Sequence, residues 1–351
     1  MQSPSHPQRS VLENKILGCL YGQAIGDAMG MPSELWTKNK VTSYFGWIND
    51  FLPGPEENIA ANEFKAGEFT DDTSQCVALM DAIIENNGHI DPGTIAKHII
   101  DWAIRINAFE KNILGPTSKS ALTAITQGIP FEQIEANGVT NGSAMRVAPM
   151  GCLLPTHSQR NFIAGVRLSC LPTHKSDIAI AGAAVISWAI SRAIEGGSWQ
   201  QIKDEIIPLA NDTQRLYEST FSPLLGRRIR YALYVVESQH DRQTALTDLY
   251  EMVGSGMDIL ESVPTAIALV DLAGTDPMLC AELAANLGGD TDTIGAMATA
   301  ICGALHGVDA FSDEHIELIN TANQINFTPY AQTLATFRLN RIQQEGQYNE
   351  Q

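Results

Sequence analysis

Four glycines recur at every fourth position near the start of the chain, at Gly18, Gly22, Gly26 and Gly30. Apolar residues surround them at helical spacing, and a period of four places all four glycines on one face of a helix. Each glycine lowers helix stability by about 1 kcal/mol relative to alanine, so this bare face needs compensation. We interpret it as a surface that packs closely against the backbone of another helix, which places the neighbouring Asp27 near a crowded interior.

The rest of the chain has the same helical periodicity. Apolar residues recur three and four positions apart, whereas the period-two alternation that indicates strands is lacking. Turn signals such as Gly196-Gly197 separate the helical stretches. We therefore predict an all-α fold. The predicted helices cover residues 11–29, 73–86, 94–108, 143–154, 176–195, 226–237, 262–273, 293–305 and 331–344.

Length and composition favour one large domain. A chain of 351 residues allows about two domains, but no Gly/Ser tract, proline-rich spacer or block of charge divides it. Its 44% hydrophobic and 18% charged residues suit a large core. We predict a single compact domain over residues 11–345, with polar tails at 1–10 and 346–351, as a monomer or small homo-oligomer.

The charge of the chain argues against a general nucleic-acid binder. The formal net charge is -18, and affinity for nucleic-acid phosphates comes from clustered lysines and arginines. No such basic cluster is present in the sequence. If the substrate itself carries phosphate, the protein needs backbone donors, helix N-termini or metal ions to bind it.

The cysteines indicate a reducing compartment. They are far apart, mostly in apolar surroundings, and form no CxxC pair, so reduced thiols are favoured over disulfides or a zinc site. The first ten residues lack the apolar region of a signal peptide, and we find no uninterrupted apolar run of membrane length. We expect a cytoplasmic protein that does not associate with a membrane. The cysteines are Cys19, Cys76, Cys152, Cys170, Cys280 and Cys302.

A long segment without helical periodicity covers about residues 46–69 and contains Pro53, Gly54 and Pro55. Loops of this length inside compact domains are often lids or binding loops. A mobile, solvated loop is the other interpretation, and the sequence leaves both open.

Two acids open a run of small residues in GGDTDT, residues 288–293. Asp290 and Asp292 would point about 200° apart on a continuous helix, so the segment is better interpreted as a turn that enters a helix. Gly288 and Gly289 allow unusual backbone angles there. The helix dipole favours negative charge by only about 0.3 to 1 kcal/mol, whereas burying an uncompensated carboxylate costs several kcal/mol.

A second segment, FTDDTS, has the same arrangement: Thr70, Asp71 and Asp72 precede a predicted helix. Helix capping alone is one explanation, because Asp and Thr are good N-cap residues. Hard oxygen ligands also suit magnesium, manganese or calcium rather than zinc. We therefore hypothesise that the two helix starts meet and share one or two divalent cations.

These segments belong to an ordered series of motifs: GDAMG followed by Glu34, then FTDDT, NGSAMR, a TH dipeptide and GGDTDT. The series resembles the ADP-ribosylglycohydrolase family, which includes dinitrogenase reductase-activating glycohydrolase. The resemblance runs from about residue 13 to residue 311.

The resemblance implies a compact, orthogonal, all-helical domain with two magnesium ions, with manganese as a possible substitute. The metals are expected to bind the ribose hydroxyls of an ADP-ribosyl substrate and to orient an activated water towards the anomeric carbon. Asp71 and Asp292 would then be catalytic as well as metal-binding. The implied metal ligands are Thr70, Asp71, Asp72, Asp290, Asp292 and Thr293.

Glu34 matches an acidic residue that the family places near the metals, on a flap that covers the substrate. It could transfer a proton or act as a gate. A solvated loop glutamate is the alternative.

The resemblance also implies substrate contacts. Asn141, Gly142 and Ser143 could donate backbone N–H groups to the pyrophosphate, Gly115 matches a glycine near the substrate, and His174 could contact the ribose or phosphate region. Elsewhere in NGSAMR, Arg146 could contact substrate or be a buried partner of a carboxylate.

Two positions depart from the arginine-specific, nitrogenase-linked members. Ile113 stands where those members have an aspartate implicated in opening of the ribose ring, and Glu261 stands where they have an aromatic residue that stacks on substrate. Both changes weaken the case for protein ADP-ribosyl-arginine as the substrate.

The leading hypothesis is a magnesium-dependent hydrolase that cleaves the bond at the anomeric carbon of an ADP-ribosyl group. One alternative is a hydrolase of a smaller ribosyl compound, such as a nucleoside or its phosphate. The others are a non-catalytic protein, either similar to the lens crystallins that share the fold or a binder of ADP-ribose.

Overall fold

The computed structural model describes residues 9–111, 113–130 and 133–349, with the side chains of 345–349 excluded. These residues form helices and turns. The β pairing among them consists of two isolated bridges, Trp36–Gly289 and Thr140–Asp258. The predicted all-α fold is confirmed. The α-helices of the described residues are α1 (Val11–Gly30), α2 (Lys38–Phe45), α3 (Asp71–Glu85), α4 (Pro92–Arg105), α5 (Pro116–Thr126), α6 (Ala148–Leu153), α7 (Gln159–Cys170), α8 (Asp177–Ile194), α9 (Trp199–Leu216), α10 (Leu225–Glu237), α11 (Arg242–Asp248), α12 (Ile259–Leu272), α13 (Pro277–Ala285), α14 (Thr291–His306), α15 (Asp313–Asn323) and α16 (Thr328–Asn349).

The glycine face of α1 packs against α14, as the period of four indicates. A Cβ atom added at Gly22 would overlap the carbonyl oxygen of Thr299, and one at Gly30 would lie 2.6 Å from the Cα atom of Asp292. The two backbones therefore touch along the pair. This contact brings Asp27, on α1, beside the acidic start of α14.

A segment predicted to be helical begins later than expected. Residues 143–154 were predicted as one helix, but 142–146 form a turn and α6 begins at Ala148. The first residues of NGSAMR thus precede the helix.

One large apolar core joins most of these elements, and α8 lies inside it. This helix is long and apolar enough to cross a membrane by length and composition, but 94% of that span is buried within the protein. Helices α6, α7, α9, α12 and α14 pack around it. The burial identifies α8 as a core helix of the described residues.

The carboxy-terminal helix closes the core through a buried cation. Arg338 of α16 is 1% exposed. Its guanidinium donates to the carbonyl oxygens of Gly151 and Leu154 at the end of α6, and it lies 2.7 Å from Glu195. The last helix is therefore fixed to the centre of the fold.

The predicted tails are only partly described. Residues 1–8 and 350–351 lie outside the described residues. Helix α16 runs to Asn349 and so extends into the segment predicted as the carboxy-terminal tail.

Candidate metal centre

Asp27 holds the first acidic helix start in place. Its Oδ1 accepts from the backbone N–H and the hydroxyl of Thr70, each at 2.9 Å. Its Oδ2 accepts from the N–H of Thr73 at 3.0 Å and from the hydroxyl of Thr73 at 2.6 Å. The carboxylate of α1 thus satisfies backbone donors at the start of α3, which Thr70 does not cap with its own side chain.

The second acidic start is shaped by the two glycines that precede it. Gly288 and Gly289 have φ angles of 85° and 84°, which confirms the unusual backbone expected there and favours glycine. A Cβ atom on Gly288 would lie 2.5 Å from the backbone nitrogen of Lys38. The turn ends where the N–H of Asp290 donates to the carbonyl of Ser255 at 2.7 Å.

The same glycine turn fixes Glu34. The N–H of Leu35 donates to the carbonyl of Gly289 at 2.7 Å, and the N–H of Gly289 donates to the carbonyl of Trp36 at 2.8 Å. Leu35 has a φ of 58°, a left-handed conformation that costs energy for a branched side chain. These contacts hold the partly buried Glu34 over the acids of α14.

The acids form two groups that share Asp292. Carboxylate oxygens of Asp27, Asp72 and Asp292 all lie within 4.8 Å of one another, and so do those of Glu34, Asp290 and Asp292. The structure therefore brings the two predicted helix starts together. It adds Asp27, which sequence analysis placed near the interior but did not assign to the site.

Several of these carboxylates lack compensation in the protein alone. Oδ1 of Asp72 and Oδ1 of Asp292 are buried and have no hydrogen-bond partner among the described residues. Burial raises the pKa of Asp71 to about 8 and the pKa of Asp290 to about 6. Burial and neighbouring acids also raise the pKa of Asp72, Asp292 and Glu34 well above the usual range.

Divalent cations fit this donor set. Hard oxygen ligands in groups of three suit Mg²⁺ or Mn²⁺, and the two unpartnered oxygens offer lone pairs that no donor within the described ranges uses. Asp27 differs, because each of its oxygens already accepts two hydrogen bonds. Asp27 is thus better placed to orient the ligands than to supply the main ligand.

A cavity of about 190 Å³ opens above the acids. Its walls bring together the start of α5, the turn at 140–142 and the two acidic helix starts. Thr70, Ser143 and His174 are not among the described lining residues. The lining residues predicted from the sequence are Glu34, Asp71, Asp72, Gly115, Asn141, Gly142, Asp290, Asp292 and Thr293.

Thr70 lies deeper, between the acids of the two starts. Its hydroxyl lies 3.0 Å from Oδ2 of Asp72 and 3.2 Å from Oδ2 of Asp292. Thr293, predicted with it as a ligand, lies beside Asp72 and Asp290, and its side chain offsets part of the rise that burial causes in the pKa of each. Both hydroxyls therefore link the two helix starts.

The backbone donors at the turn are only partly free. The N–H of Asn141 donates to the carbonyl of Met257 at 3.0 Å, so the expected phosphate contact from this group is not available. Its side-chain amide instead donates to Oδ2 of Asp290 at 2.6 Å. The N–H groups of Gly142 and Ser143 donate to no group among the described residues, which leaves two adjacent donors of the kind that binds anions.

His174 lies behind this turn, and a direct substrate contact is not available in this conformation. Its Nε2 lies 2.9 Å from the hydroxyl of Thr140 and its Nδ1 lies 2.8 Å from the hydroxyl of Thr173. A Cβ atom on Gly142 would lie 2.7 Å from Cε1 of His174. Burial lowers the pKa of His174 to about 3, so the ring is neutral and shapes the turn.

A second cavity, of about 600 Å³, adjoins the first at Asp71 and Ile113. The irregular loop at 46–69 forms part of its wall with Phe64 and Phe69. Asn58 ties this loop to the Glu34 segment, because its side-chain amide donates to the carbonyl of Glu34 at 3.0 Å. The loop is thus anchored beside the site.

Glu261, which with Ile113 is one of the two positions that depart from the nitrogenase-linked sequences, does not line the first cavity. Its carboxylate accepts from the N–H of Gly256 at 2.8 Å. The next residue in the chain, Met257, is 40% exposed and supplies apolar lining to the cavity. Glu261 therefore supports the loop that presents Met257 and does not replace an aromatic side chain at the cavity wall.

Comparison with known proteins agrees with these features. The ADP-ribosylglycohydrolase family profile matches residues 8–344. "Uncharacterized protein YegU" of Escherichia coli is 56% identical over 93% of this chain and 98% of its own length. "ADP-ribosylhydrolase ARH3" of Bos taurus is 26% identical over 84% of this chain and 86% of its own length. The chain therefore belongs to the ADP-ribosylglycohydrolase family.

The fold is also found among solved structures. A chain described as "ADP-ribosylglycohydrolase-related protein complex" matches with a TM-score of 0.68 and 23% identity. The match covers 93% of this chain and 99% of that one. At this identity the likeness concerns the fold.

Proposed function

We propose that this member of the ADP-ribosylglycohydrolase family hydrolyses the bond at the anomeric carbon of an ADP-ribosyl group and requires divalent cations, Mg²⁺ or Mn²⁺. The observation that carries the proposal is the meeting of two acidic helix starts beneath a cavity. Each start has a buried carboxylate oxygen, on Asp72 and on Asp292, that accepts no hydrogen bond from the part of the chain that the structure describes. Relatives named as ADP-ribosyl hydrolases support the substrate class.

The proposed cation ligands are the predicted set of Asp71, Asp72, Asp290, Asp292 and the threonines beside them. When bound, the cations would supply positive charge and Lewis acidity at the ribose. The protein itself orients the ligands, since Asp27 fixes the start of α3 and Asn141 donates to Asp290.

Glu34 is the proposed proton-transfer group. Burial and the neighbouring acids raise its pKa, which favours a carboxyl group that can hold a proton and pass it on. In this role its carboxyl group accepts a proton from the attacking water or gives one to the leaving group.

The phosphates are proposed to bind at the opposite wall. Gly115, which is the N-cap of α5, and Gly142 both line the cavity. The backbone N–H of Gly142 donates to no group among the described residues, and that of Ser143 follows it in the chain. Helix N-termini and exposed backbone donors bind anions without a basic side chain. This suits a protein with a net charge of -18.

A smaller ribosyl compound is the second candidate substrate. The first cavity, at about 190 Å³, is smaller than the roughly 300 to 1,000 Å³ of common ligand pockets. The adjoining cavity of about 600 Å³ favours the larger ADP-ribosyl compounds by offering room for a leaving group.

The cellular setting remains part of the proposal. All six cysteines are free and buried, which supports a reducing, cytoplasmic compartment.

The test is product analysis by mass spectrometry, with Mg²⁺ present or chelated. The panel contains ADP-ribosyl-arginine, O-acetyl-ADP-ribose and simple nucleosides. We expect release of ADP-ribose only with the cation, and loss of turnover in Asp292→Asn. Cleavage of nucleosides alone would favour the second candidate, whereas binding of ADP-ribose without any product would contradict an enzyme.

A further inference from the structure

Gln75 lies one helical turn after Asp71 and is fully buried. Its side-chain amide nitrogen lies 3.1 Å from Oδ2 of Asp71. Its amide oxygen accepts from Nη1 of Arg146 at 3.0 Å. The amide therefore bridges a member of the acidic site and a buried guanidinium.

The orientation of this amide is determined by its neighbours. A guanidinium only donates, and a carboxylate that binds a cation is ionised and only accepts. The flipped amide would place two donors together at Arg146 and two acceptors together at Asp71. Gln75 can satisfy both partners in one orientation only.

Arg146 is buried, and its hydrogen-bond partners among the described residues are uncharged. It is 1% exposed. Besides Gln75, its guanidinium donates to the hydroxyl of Thr173 at 2.7 Å and to the carbonyl of Ser169 at 3.3 Å. Burial lowers the pKa of Arg146 to about 10, which still leaves it charged at neutral pH. A buried charge next to an amide polarises that amide and strengthens the hydrogen bond that it donates.

We propose that Arg146 acts through Gln75 to fix the carboxylate of Asp71 for cation binding, so that Gln75 is a positioning residue of the metal centre. The bridge occupies Oδ2 of Asp71 and fixes the rotation of the carboxylate about its own axis. This inference rests on the proposed function. It also gives Arg146 an indirect link to a carboxylate, which is neither of the two roles that the sequence left open.

The bridge also has a purely structural interpretation, because a buried Gln–Arg pair satisfies polar groups in the core. The two roles differ in what they predict for cation affinity in the absence of substrate. Loss of a residue that orients a metal ligand lowers metal affinity by about 10- to 100-fold. Loss of a core hydrogen bond lowers stability alone.

The experiment measures Mn²⁺ dissociation constants by electron paramagnetic resonance of the full chain, together with urea unfolding. Gln75→Met keeps the volume of the side chain and removes both hydrogen bonds. The matched control is Thr173→Val, which removes a different partner of Arg146 and leaves the Gln75–Asp71 contact in place. We expect Mn²⁺ binding to weaken at least about 10-fold in Gln75→Met and by less than about twofold in Thr173→Val, although both variants lose stability.

A second variant keeps the test valid if Gln75→Met does not fold. Gln75→Asn keeps a polar amide in the core but is one methylene shorter, so it cannot reach Asp71 and Arg146 together as Gln75 does. We expect a smaller loss of stability than in Gln75→Met, with Mn²⁺ binding still weakened. Unchanged or tighter Mn²⁺ binding in the folded Gln75 variants would overturn the positioning role. Absence of Mn²⁺ binding by the unsubstituted protein would instead overturn the proposed metal-dependent function.

Discussion

Glycine-to-alanine substitutions at the two ends of the α1–α14 contact can show whether a change in metal affinity is distinct from a loss of stability. A Cβ atom at Gly30 would lie 2.5 Å from the carbonyl carbon of Thr291 and 2.6 Å from Cα of Asp292. Carbon atoms pack optimally at about 3.5 to 4.0 Å. Gly30→Ala therefore requires the helices to separate by roughly 1 Å, at the end of the pair that holds the acids.

The energetic cost follows from this overlap. Overpacking against backbone costs about 3 kcal/mol, at the upper end of its usual range, and alanine returns about 1 kcal/mol of helix propensity. The net loss is about 2 kcal/mol. An unfolding entropy of about 2.1 cal/mol/K per residue amounts to about 0.7 kcal/mol/K for 351 residues. The expected fall in Tm is therefore about 3 °C.

The matched control is Gly18→Ala, at the other end of the same helix pair. Its Cβ atom would lie 2.7 Å from Cα of Gly307, about 18 Å along α1 from Gly30. We expect both variants to lose about 3 °C in calorimetry, but only Gly30→Ala to weaken Mn²⁺ binding, by about 10-fold. A normal Tm in Gly30→Ala, or equal loss of Mn²⁺ affinity in both variants, would refute this reasoning.

Two further predictions concern the cations and the buried histidine. Mg²⁺ at about 100 times its dissociation constant should add about 2.7 kcal/mol of stability, or about 4 °C in Tm. Asp292→Asn should abolish this gain, and without metal the variant should unfold at a higher temperature than the unsubstituted protein. Calorimetry with and without chelator measures both effects, and an equal Mg²⁺ gain in the variant would contradict the assignment of Asp292 as a ligand. The pKa of His174 falls to about 3 on folding, so between pH 6.5 and pH 3 the unfolded chain binds a proton at this residue that the folded protein does not. The contribution of His174 to stability should therefore fall by about 1 kcal/mol per pH unit as the pH drops through that range, whereas the buried acids with raised pKa values act in the opposite direction. Urea unfolding at pH 7, 6 and 5 should show a shallower dependence in His174→Asn, and an identical slope would exclude His174 as the cause.

The predictions that the structure confirms came from patterns within single segments of the sequence. The glycine period identified the close face of α1, because helix geometry alone decides which side chains share a face. The all-α class followed in the same way from apolar spacing. Gly288 and Gly289 predicted a turn, because glycine adopts positive φ angles more readily than other residues.

Long-range contacts explain what the sequence did not reveal. Asp27 is joined to Thr70 and Thr73 from 43 and 46 residues away, and no local pattern marks such a pair. The use of the Asn141 N–H by Met257 depends on a loop far along the chain. The sequence did contain one signal for Asp27. It lies beside the bare glycine face of α1, and a carboxylate buried there needs hydrogen-bond donors or a cation to compensate its charge.

Helix α9 lies between the predicted helices 176–195 and 226–237 and was not itself predicted. It contains Pro208, a residue that usually ends a helix. Its capping box, in which Ser198 and Gln201 satisfy each other's backbone N–H groups, marks its start. A prediction based on the spacing of apolar residues does not use such polar capping residues, and it therefore missed this helix.

The pairing of the first long helix with α14 has a consequence during synthesis. The hydroxyl of Thr291 donates to the carbonyl of Gly30 across a separation of 261 residues. A ribosome that adds about 5 to 20 residues per second needs roughly 10 to 50 seconds to make the intervening chain. Throughout that interval the glycine surface of the nascent protein has no partner, and so the interval in which chaperones can bind it is set by translation and not by folding.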